Sequence, residues 1–385
     1  MNSIKPTGSY TFLAEMFKHS MEGICLADND IGIRQYDFSS VFPIYPDSTE
    51  ISSGIPEPLE EIPDHLIAEN LNFTYPVIYP AGKEKFSSAV ILLHGLNERS
   101  WNKYLPWAYR LARQLQRPVI LFPISFHMNR APSGWSNPRL MSGLLSRTRL
   151  LNHRNHSSTF VNLALSLRLT RKPVRFFTSG CQSLNDILNL TDYLKSGSHP
   201  IMEKDSKIDF FAYSIGAFLV QIMMLTYGDS ILRDSRVFLF CGGAPFNRMD
   251  GVSKLIMDEE AFIKLRFYYL KTLEREIKNH SLMAEYICCQ PWGQAFRAMI
   301  SSSNFSQWRE GAFKQMGNRV HAIGLAKDKV IPAPGLAELL APDQMEIIDF
   351  PFDYTHENPF PLQADPGLVN QGFDAVFEKA IAFFK

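Results

Sequence analysis

The hydrophobic pattern of the chain alternates between two kinds of segment. Short runs rich in Val, Ile, Leu and Phe, each ending in small or polar residues, occupy positions 89–95, 118–125, 208–214, 237–243, 320–326 and 345–351. Such runs are typical of strands buried on both faces of a parallel sheet. Between several of them, apolar residues recur at helical spacing, as in 101–116 and 183–195, where Ser183 is the expected helix cap. The alternation predicts an α/β fold with a mainly parallel sheet flanked by helices.

Three stretches depart from this alternation. Residues 1–65 are punctuated by Pro and Ser, which predicts an N-terminal extension there and a main domain over 66–385. Residues 126–176 and 247–318 are insertions with helical patterns, and the second is rich in aromatic residues and methionine. Both insertions are therefore predicted to be helical and to interrupt the sheet-forming part of the chain.

The net charge of zero hides an uneven distribution of charged residues. Residues 1–98 carry 14 acidic and 5 basic side chains, whereas 99–185 carry 14 basic and no acidic ones. Our interpretation is that the two segments pack against each other within one chain. A basic face for an anionic substrate, a lipid or a nucleic acid is the alternative, but the basic residues are dispersed and no nucleic-acid-binding motif occurs. We therefore expect no nucleic-acid partner.

Other features of the composition point to a cytoplasmic protein. No apolar run approaches the length of about 20 residues that a membrane span needs. The first residues lack the basic and apolar regions of a signal peptide. The five cysteines have no CxxC spacing, so they are predicted to be reduced thiols and not a disulfide or zinc framework.

Candidate chemistry begins with the segment IDFFAYSIGA at 208–217. Its apolar run ends at Ser214, and the small residues Ala212 and Gly216 stand two positions before and after it. A serine nucleophile on a sharp strand-to-helix turn needs small neighbours, because larger side chains would collide there. Such a serine also needs a base, an acid that orients the base, and N–H donors for the oxyanion. The segment predicts a nucleophile elbow of the form A-x-S-x-G.

Further motifs follow the predicted strands in an informative order. LLHGLN at 92–97 follows the first buried run, Asp328 follows the run at 320–326, and His356 follows the last run. With Ser214 they give the order serine, acid, histidine, and from about residue 70 onward the chain resembles the α/β-hydrolase superfamily, in particular its less characterised bacterial members. The resemblance implies an α/β-hydrolase fold.

The resemblance also implies roles for individual residues. Ser214 would be the nucleophile, His356 the general base and Asp328 the acid that orients it. The backbone N–H groups of Leu96 and Ile215 would form the oxyanion hole. No cofactor and no metal is implied, since this chemistry needs only side chains, backbone donors and water.

Several assignments stay open on the sequence alone. Asp349 and Asp353 lie near the end of the last strand and are alternatives to Asp328 as the acid. Asn97 could add a side-chain donor to the oxyanion hole or cap the following helix.

Three more residues are candidates for substrate binding. Tyr213 precedes the nucleophile, and His127 and Arg130 follow the second buried run, at the sheet edge where open α/β sheets bind ligands. An internal salt bridge is the alternative for Arg130.

The leading hypothesis is a serine hydrolase that cleaves a carboxylic ester or a related acyl bond through an acyl-enzyme intermediate. Superfamily members insert caps where 247–318 lies, so this segment is expected to be a helical lid, and its apolar residues favour a small, partly apolar acyl substrate. Amide or peptide hydrolysis and acyl transfer use the same three residues. A non-catalytic binding protein on a hydrolase fold is the alternative from another class.

Overall fold

The computed structural model describes residues 13–15, 17–18, 30–41, 63–151 and 156–385. The remainder of the predicted extension, with Cys25, lies outside the described residues.

A single eight-stranded sheet forms the centre of the described part. Its strands are β1 (Ile31–Ser39), β2 (Asn72–Pro80), β3 (Phe86–Leu93), β4 (Val119–Leu121), β5 (Met202–Tyr213), β6 (Val237–Phe240), β7 (Val320–Leu325) and β8 (Met345–Ile348). Their spatial order is β1-β2-β4-β3-β5-β6-β7-β8, and β2 runs opposite to the others. The mainly parallel sheet of the α/β-hydrolase fold, expected from the buried runs and the motifs, is confirmed.

The central strands are apolar throughout because the sheet has a core on each face. Along β3, Val90 and Leu92 enter one core, while Ile91 and Leu93 enter the other. Successive side chains of a strand point to opposite faces, so a strand covered on both sides needs apolar residues at every position.

Helices flank this sheet on both faces or lie in the two insertions. They are α1 (Ala68–Leu71), α2 (Leu105–Leu115), α3 (Pro138–Leu151), α4 (Leu163–Arg171), α5 (Arg175–Lys195), α6 (Ile215–Tyr227), α7 (Glu259–Phe267), α8 (Leu273–Lys278), α9 (Leu282–Cys289), α10 (Gly293–Ile300), α11 (Ser306–Met316) and α12 (Pro366–Phe384). On one face, Trp107 of α2 contacts Phe211 of β5 and Phe377 of α12, with ring centroids 6.0 and 5.8 Å away. Helices α5 and α6 pack on the opposite face. None of the helices in the described ranges has the length and apolar character that crossing a bilayer would require.

The edge strand β1 lies inside the predicted extension. It pairs with β2 from Ile31 opposite Pro80 to Ser39 opposite Asn72. This part of the segment 1–65 therefore belongs to the sheet of the main domain. The hydrophobic pattern misses it because exposed and buried positions are mixed along an edge strand, which gives no continuous apolar run.

The helix predicted at 183–195 begins earlier, at Arg175. Ser183 lies inside α5 and donates a hydrogen bond to the carbonyl of Ser179 at 2.8 Å, so it is not the cap. A serine can satisfy its hydroxyl within a helix in this way, and the residue type alone does not mark a helix start.

The two insertions pack against each other. Helix α4 of the first insertion contacts α7 of the second. Asp258 accepts a hydrogen bond from Ser158 Oγ at 2.6 Å and donates its backbone N–H to Ser166 Oγ at 2.9 Å. Asn162 Nδ2 donates to the carbonyl of Ser253 at 2.9 Å. We call residues 138–151, 156–171 and 247–318, which contain α3–α4 and α7–α11, the cap.

Ion pairs join the acidic N-terminal part of the chain to the basic middle. Asp64 pairs with Arg168 at 2.7 Å and with Arg175 at 3.2 Å, and Asp30 pairs with Arg113 at 3.2 Å. For the described residues, the interpretation that these segments pack on each other is confirmed.

We predict that β1 contributes to the stability of the whole domain. Ile33 is 2% exposed, so Ile33→Ala should lower the free energy of unfolding by about 2–5 kcal/mol, through lost burial and the cavity left behind. Urea unfolding followed by circular dichroism measures this change. Asp37→Asn, at an exposed position of the same strand, is the control and should change it by less than about 0.5 kcal/mol. Equal stability of wild type and Ile33→Ala would mean that β1 is a dispensable extension.

Candidate active site

The turn between β5 and α6 holds Ser214 in unusual backbone. Its φ is 56° and its ψ is −118°, outside the regions that non-glycine residues favour. Gly216 makes this turn possible, because a Cβ there would lie 2.8 Å from Leu93 Cβ and 2.9 Å from the His94 carbonyl oxygen. The structure therefore has the sharp strand-to-helix turn that the small residues around the serine predict.

Ser214, His356 and Asp328 form a continuous hydrogen-bonded series. Ser214 Oγ lies 2.7 Å from His356 Nε2, and His356 Nδ1 lies 2.7 Å from Asp328 Oδ2. A carboxylate only accepts, so Nδ1 carries the proton, and Nε2 is left to accept from the serine hydroxyl. All three side chains are buried. The arrangement can remove a proton from Ser214 and hold the resulting imidazolium beside a carboxylate.

Asp328 is the carboxylate that the structure brings to the histidine. Its second oxygen, Oδ1, accepts from the backbone N–H groups of Val330 and Ile331, both at 2.9 Å, which fixes the side chain in place. The alternatives Asp349 and Asp353 are exposed. Asp349 instead accepts from Tyr354 at 3.0 Å and pairs with Lys327 at 3.2 Å.

Leu96 and Ile215, whose N–H groups are the expected oxyanion donors, line one common cavity. Ile215 is the first residue of α6, where a backbone N–H has no acceptor within the helix. Among the described residues, no protein acceptor binds the N–H of Leu96 or of Ile215. The loop before Leu96 is held by His94, which accepts from Ile124 N–H at 3.0 Å and donates to the Gly95 carbonyl at 2.8 Å.

Tyr213 is buried and supports the histidine loop. It is 1% exposed, its hydroxyl donates to the backbone carbonyl of His356, and its ring stacks on the imidazole at a centroid distance of 5.5 Å. Lys103 Nζ lies 4.5 Å from the centroid of the tyrosine ring and donates to the Glu357 carbonyl at 3.0 Å. Sequence reasoning missed Lys103, because no local pattern links it to a loop 254 residues away.

Asn97 connects residues 94–97, which we call the oxyanion loop, to the cap. Its Nδ2 donates to the carbonyl of Val161 at 3.1 Å and to that of Leu255 at 2.7 Å, one from each insertion. The side chain therefore neither caps the following helix nor serves as a free oxyanion donor. Glu357 makes a second link, since its carboxylate accepts from Ser253 Oγ in the cap.

Arg130 is part of an internal salt bridge. It is fully buried, and its guanidinium lies 2.8 Å from Asp186, 3.1 Å from the Pro123 carbonyl and 4.1 Å from the centroid of the Phe73 ring. Burial lowers its pKa to about 10, which leaves it charged at neutral pH. The suggestion that Arg130 binds substrate is wrong, because its hydrogen-bonding groups face protein partners on all sides.

A largely apolar cavity opens next to the oxyanion loop. It encloses about 580 Å³ of space free of protein atoms, including space open to solvent. Its walls come from α5, α6 and the cap and include Phe176, Phe218 and Phe296, and it also touches Leu96 and Ile215. Ligand pockets commonly have this apolar character.

His127 is the one predicted binding residue that lines this cavity. It lies at the carboxyl edge of the sheet, after β4, as the sequence predicts. No group of three or more His, Cys, Asp or Glu side chains in the described ranges is arranged to hold a metal ion.

We predict that stability falls as the solution is acidified from pH 7 to pH 5. Burial lowers the pKa of His94 well below its usual 6.5. In this pH range His94 therefore binds a proton in the unfolded chain and stays neutral in the folded chain. Stability then rises with pH between the two pKa values and is lost as the pH falls. Urea unfolding at several pH values measures the slope.

His94→Gln is the control for this assignment. The variant should be less stable at pH 7, because it loses the buried hydrogen bonds of His94, but its stability should depend less steeply on pH. An unchanged slope would mean that other groups cause the acid sensitivity.

Several solved structures of hydrolases resemble the chain in fold. A meta-cleavage product hydrolase, CumD from Pseudomonas fluorescens IP01, is 15% identical, with 80% of this chain and 93% of that chain covered and a TM-score of 0.40. The peroxisomal α/β-hydrolase Lpx1 from Saccharomyces cerevisiae is 14% identical, with 92% and 91% covered and a TM-score of 0.43. At such low identities and TM-scores, the likeness carries no information about substrate.

The sequence comparisons define the family. No curated protein matches the chain. The model of DUF6051, described as a family of unknown function, matches residues 5–385. The chain therefore belongs to the DUF6051 family, and its sheet and helices have the α/β-hydrolase fold.

Proposed function

We propose that this protein is a serine hydrolase that cleaves a carboxylic ester through an acyl-enzyme intermediate. The observation that carries the proposal is the hydrogen-bonded series from Ser214 through His356 to Asp328, with the serine on a strained elbow. Proton removal from a serine, followed by its return to a leaving group, requires this combination of groups.

In the first half-reaction, Ser214 Oγ attacks the carbonyl carbon of the ester while His356 Nε2 takes its proton. The carbonyl oxygen becomes an oxyanion, which the N–H groups of Leu96 and Ile215 would bind. The C–O bond to the leaving group then breaks, and His356 gives its proton to the departing alkoxide. The products of this step are an alcohol and a serine ester.

In the second half-reaction, His356 takes a proton from a water molecule that attacks the acyl-enzyme. The bond from the acyl carbon to Ser214 Oγ breaks, and the proton returns from His356 to the serine. Asp328 keeps Nδ1 of the imidazole protonated in both steps and stabilises the positive charge on the ring. One ester and one water give one acid and one alcohol.

The cap is proposed to act as a lid over this site. Ser214 is only 4% exposed, and Asn97 and Glu357 tie loops near it to the cap. The cavity next to Leu96 and Ile215 is the proposed route of the substrate to the serine. The aromatic walls of this cavity favour an apolar acyl group. Exclusion of bulk water would also strengthen the oxyanion hydrogen bonds.

Labelling with a fluorophosphonate tests the proposal. On the wild type, the activated serine should form one covalent adduct, seen as a single increase in intact mass. The variant Ser214→Ala should form no adduct. His356→Ala should label far more slowly, because the serine has lost its base. Hydrolysis of matched ester and amide substrates then separates ester cleavage from the amidase alternative.

Ser206→Ala is the matched control for labelling. Ser206 is a buried serine on β5, the strand that leads to the nucleophile, and the variant should label like the wild type. Absence of an adduct on folded wild type with both a small and a bulky probe would contradict the proposal and favour a non-catalytic binding protein.

We predict that Asp328→Asn lowers kcat by on the order of 10³- to 10⁴-fold. The amide would donate to Nδ1 of His356 and favour the tautomer with its proton on Nε2, which cannot accept from Ser214. The loss is measured by steady-state kinetics. The substrate is an ester whose cleavage stops when the enzyme is labelled with the fluorophosphonate. Asp349→Asn should leave kcat unchanged, because that carboxylate is exposed and bonded to Tyr354; a large loss there would reassign the acid.

A further inference from the structure

We propose that Glu98, Lys103 and Tyr104 are positioning residues that link the oxyanion loop to the histidine loop, residues 353–360. The three side chains bind the backbone of these loops and act through it. The inference rests on the proposed function, and it names the groups that keep the expected oxyanion donor in register with the general base.

The carboxylate of Glu98 is the point where the two sides of the link meet. Its Oε1 accepts from the Tyr104 hydroxyl at 3.0 Å, and the same oxygen pairs with Lys103 Nζ. Lys103 and Tyr104 are neighbours in a short 3-10 helix, Asn102–Tyr104. One carboxylate oxygen therefore holds both side chains, of which Tyr104 reaches the oxyanion loop and Lys103 reaches the histidine loop.

The link fixes the backbone around Gly95 in the oxyanion loop. The N–H of Gly95 donates to the Tyr104 hydroxyl at 2.9 Å, and the carbonyl of Gly95 accepts from His94 at 2.8 Å. That carbonyl belongs to the same planar peptide group as the N–H of Leu96, so the direction of this expected oxyanion donor is fixed with it. Gly95 also lies close to the ring of Tyr213, because a Cβ at Gly95 would be 3.1 Å from that ring.

On the other side, the link fixes the backbone of the histidine loop. Two consecutive carbonyls are held there: that of His356 accepts from the Tyr213 hydroxyl, and that of Glu357 accepts from Lys103 Nζ at 3.0 Å. The loop contains no helix or strand, so contacts from other segments determine its position. Lys103 is therefore a direct bridge from Glu98 to the residue that follows the general base.

The ion pair is shielded from water. The side chains of Lys103 and Glu98 are 18% and 22% exposed, and Lys103 Nζ lies 4.9 Å from the centroid of the Tyr104 ring and 4.5 Å from that of Tyr213. An exposed ion pair contributes little, because its side chains are mobile and its charges are screened. Here two acceptors and two aromatic faces confine the ammonium group.

The hydroxyl of Tyr104 keeps its proton in this environment. Tyr104 is fully buried, and burial raises the pKa of its hydroxyl well above the usual 10. At neutral pH the hydroxyl therefore donates to Glu98 while it accepts from the N–H of Gly95. The hydrogen bonds run without a gap from the oxyanion loop to the histidine loop.

The separation of the two loops matters because both act on the same carbonyl group. The oxyanion donor must meet the carbonyl oxygen while the histidine meets the serine that attacks the carbonyl carbon. A displacement of about 1 Å in such a site can lower the rate by about 100-fold. The loops come from segments 254 residues apart, and the link holds both of them from one carboxylate.

The test breaks the link separately on each side. Tyr104→Phe keeps the ring and removes the hydroxyl that binds Gly95, and Lys103→Met keeps an unbranched chain and removes the charge. In each variant, the rate constant of fluorophosphonate labelling at Ser214 should fall about 10- to 100-fold. On an ester that the wild type cleaves, kcat should fall by a similar factor, with KM nearly unchanged.

The double variant Tyr104→Phe/Lys103→Met tests whether the two side chains act as one link. Because either change already separates the loops, the double variant should label about as slowly as the slower single variant. The fraction of molecules that finally label reports folding, and it should stay near that of the wild type.

Two controls remove the same groups at other places. Tyr75→Phe removes a buried hydroxyl that lies 3.2 Å from His199, before β5, and Lys379→Met removes an ammonium that lies 2.9 Å from Glu346, in β8. Both contacts are near the amino ends of these strands, whereas Ser214 follows the carboxyl end of β5. Both controls should label at the rate of the wild type.

Labelling also separates this inference from the proposed function. If the wild type labels at Ser214 and the test variants label equally fast, the link is overturned and the hydrolase proposal stands. A smaller labelled fraction at an unchanged rate, effects that multiply in the double variant, or equal losses in the controls would each overturn the link as well. If Lys103→Met does not fold, the rate of Tyr104→Phe decides by itself. Absence of labelling on the wild type would overturn both proposals.

Discussion

The turn at Ser214 constrains much of the surrounding structure. A non-glycine residue in this conformation costs about 1–3 kcal/mol, so the strand before it and the helix after it must hold it in place. Phe210 and Phe211 of β5 and Ala217 and Val220 of α6 are fully buried, which fixes both sides of the turn. The close approach of Gly216 to β3 then allows no Cβ.

The loop that carries His356 depends on contacts from several parts of the chain. Tyr213, the residue before the serine, stacks on the imidazole and donates to the backbone of the same residue. Lys103, between the oxyanion loop and α2, donates to the next carbonyl, and Ser253 of the cap binds the Glu357 carboxylate. The histidine is therefore positioned by the elbow, by the oxyanion loop and by the cap together.

The cap also shapes the cavity that Leu96 and Ile215 line. Its two insertions are separated by more than 70 residues of chain, yet buried hydrogen bonds of Asp258 and Asn162 join them into one layer. Trp292 and Phe296 from the second insertion close the cavity over α5 and α6. The aromatic residues that the sequence placed in a lid divide accordingly between packing inside the cap and the wall of the cavity.

The sequence by itself determined the features that depend on near neighbours in the chain. The buried runs of β3, β5 and β7, the small residues around Ser214, and the order in which Ser214, Asp328 and His356 follow their strands are all local patterns. A strand buried on both faces or a turn without room for side chains restricts the residues within it directly, so these features could be read without a structure.

Only the tertiary structure decided what depends on contacts between distant segments. It paired β1 with β2, enclosed Arg130 with Asp186, turned Asn97 toward the cap, and set Asp328, not Asp349, against the histidine. Within the described part of the chain, it also left His127 Nε2 without a protein partner. Residue type determines what a side chain can bind, but the packing of other segments around it determines its partner. Segments 28 to 158 residues apart leave no periodic signal in the sequence.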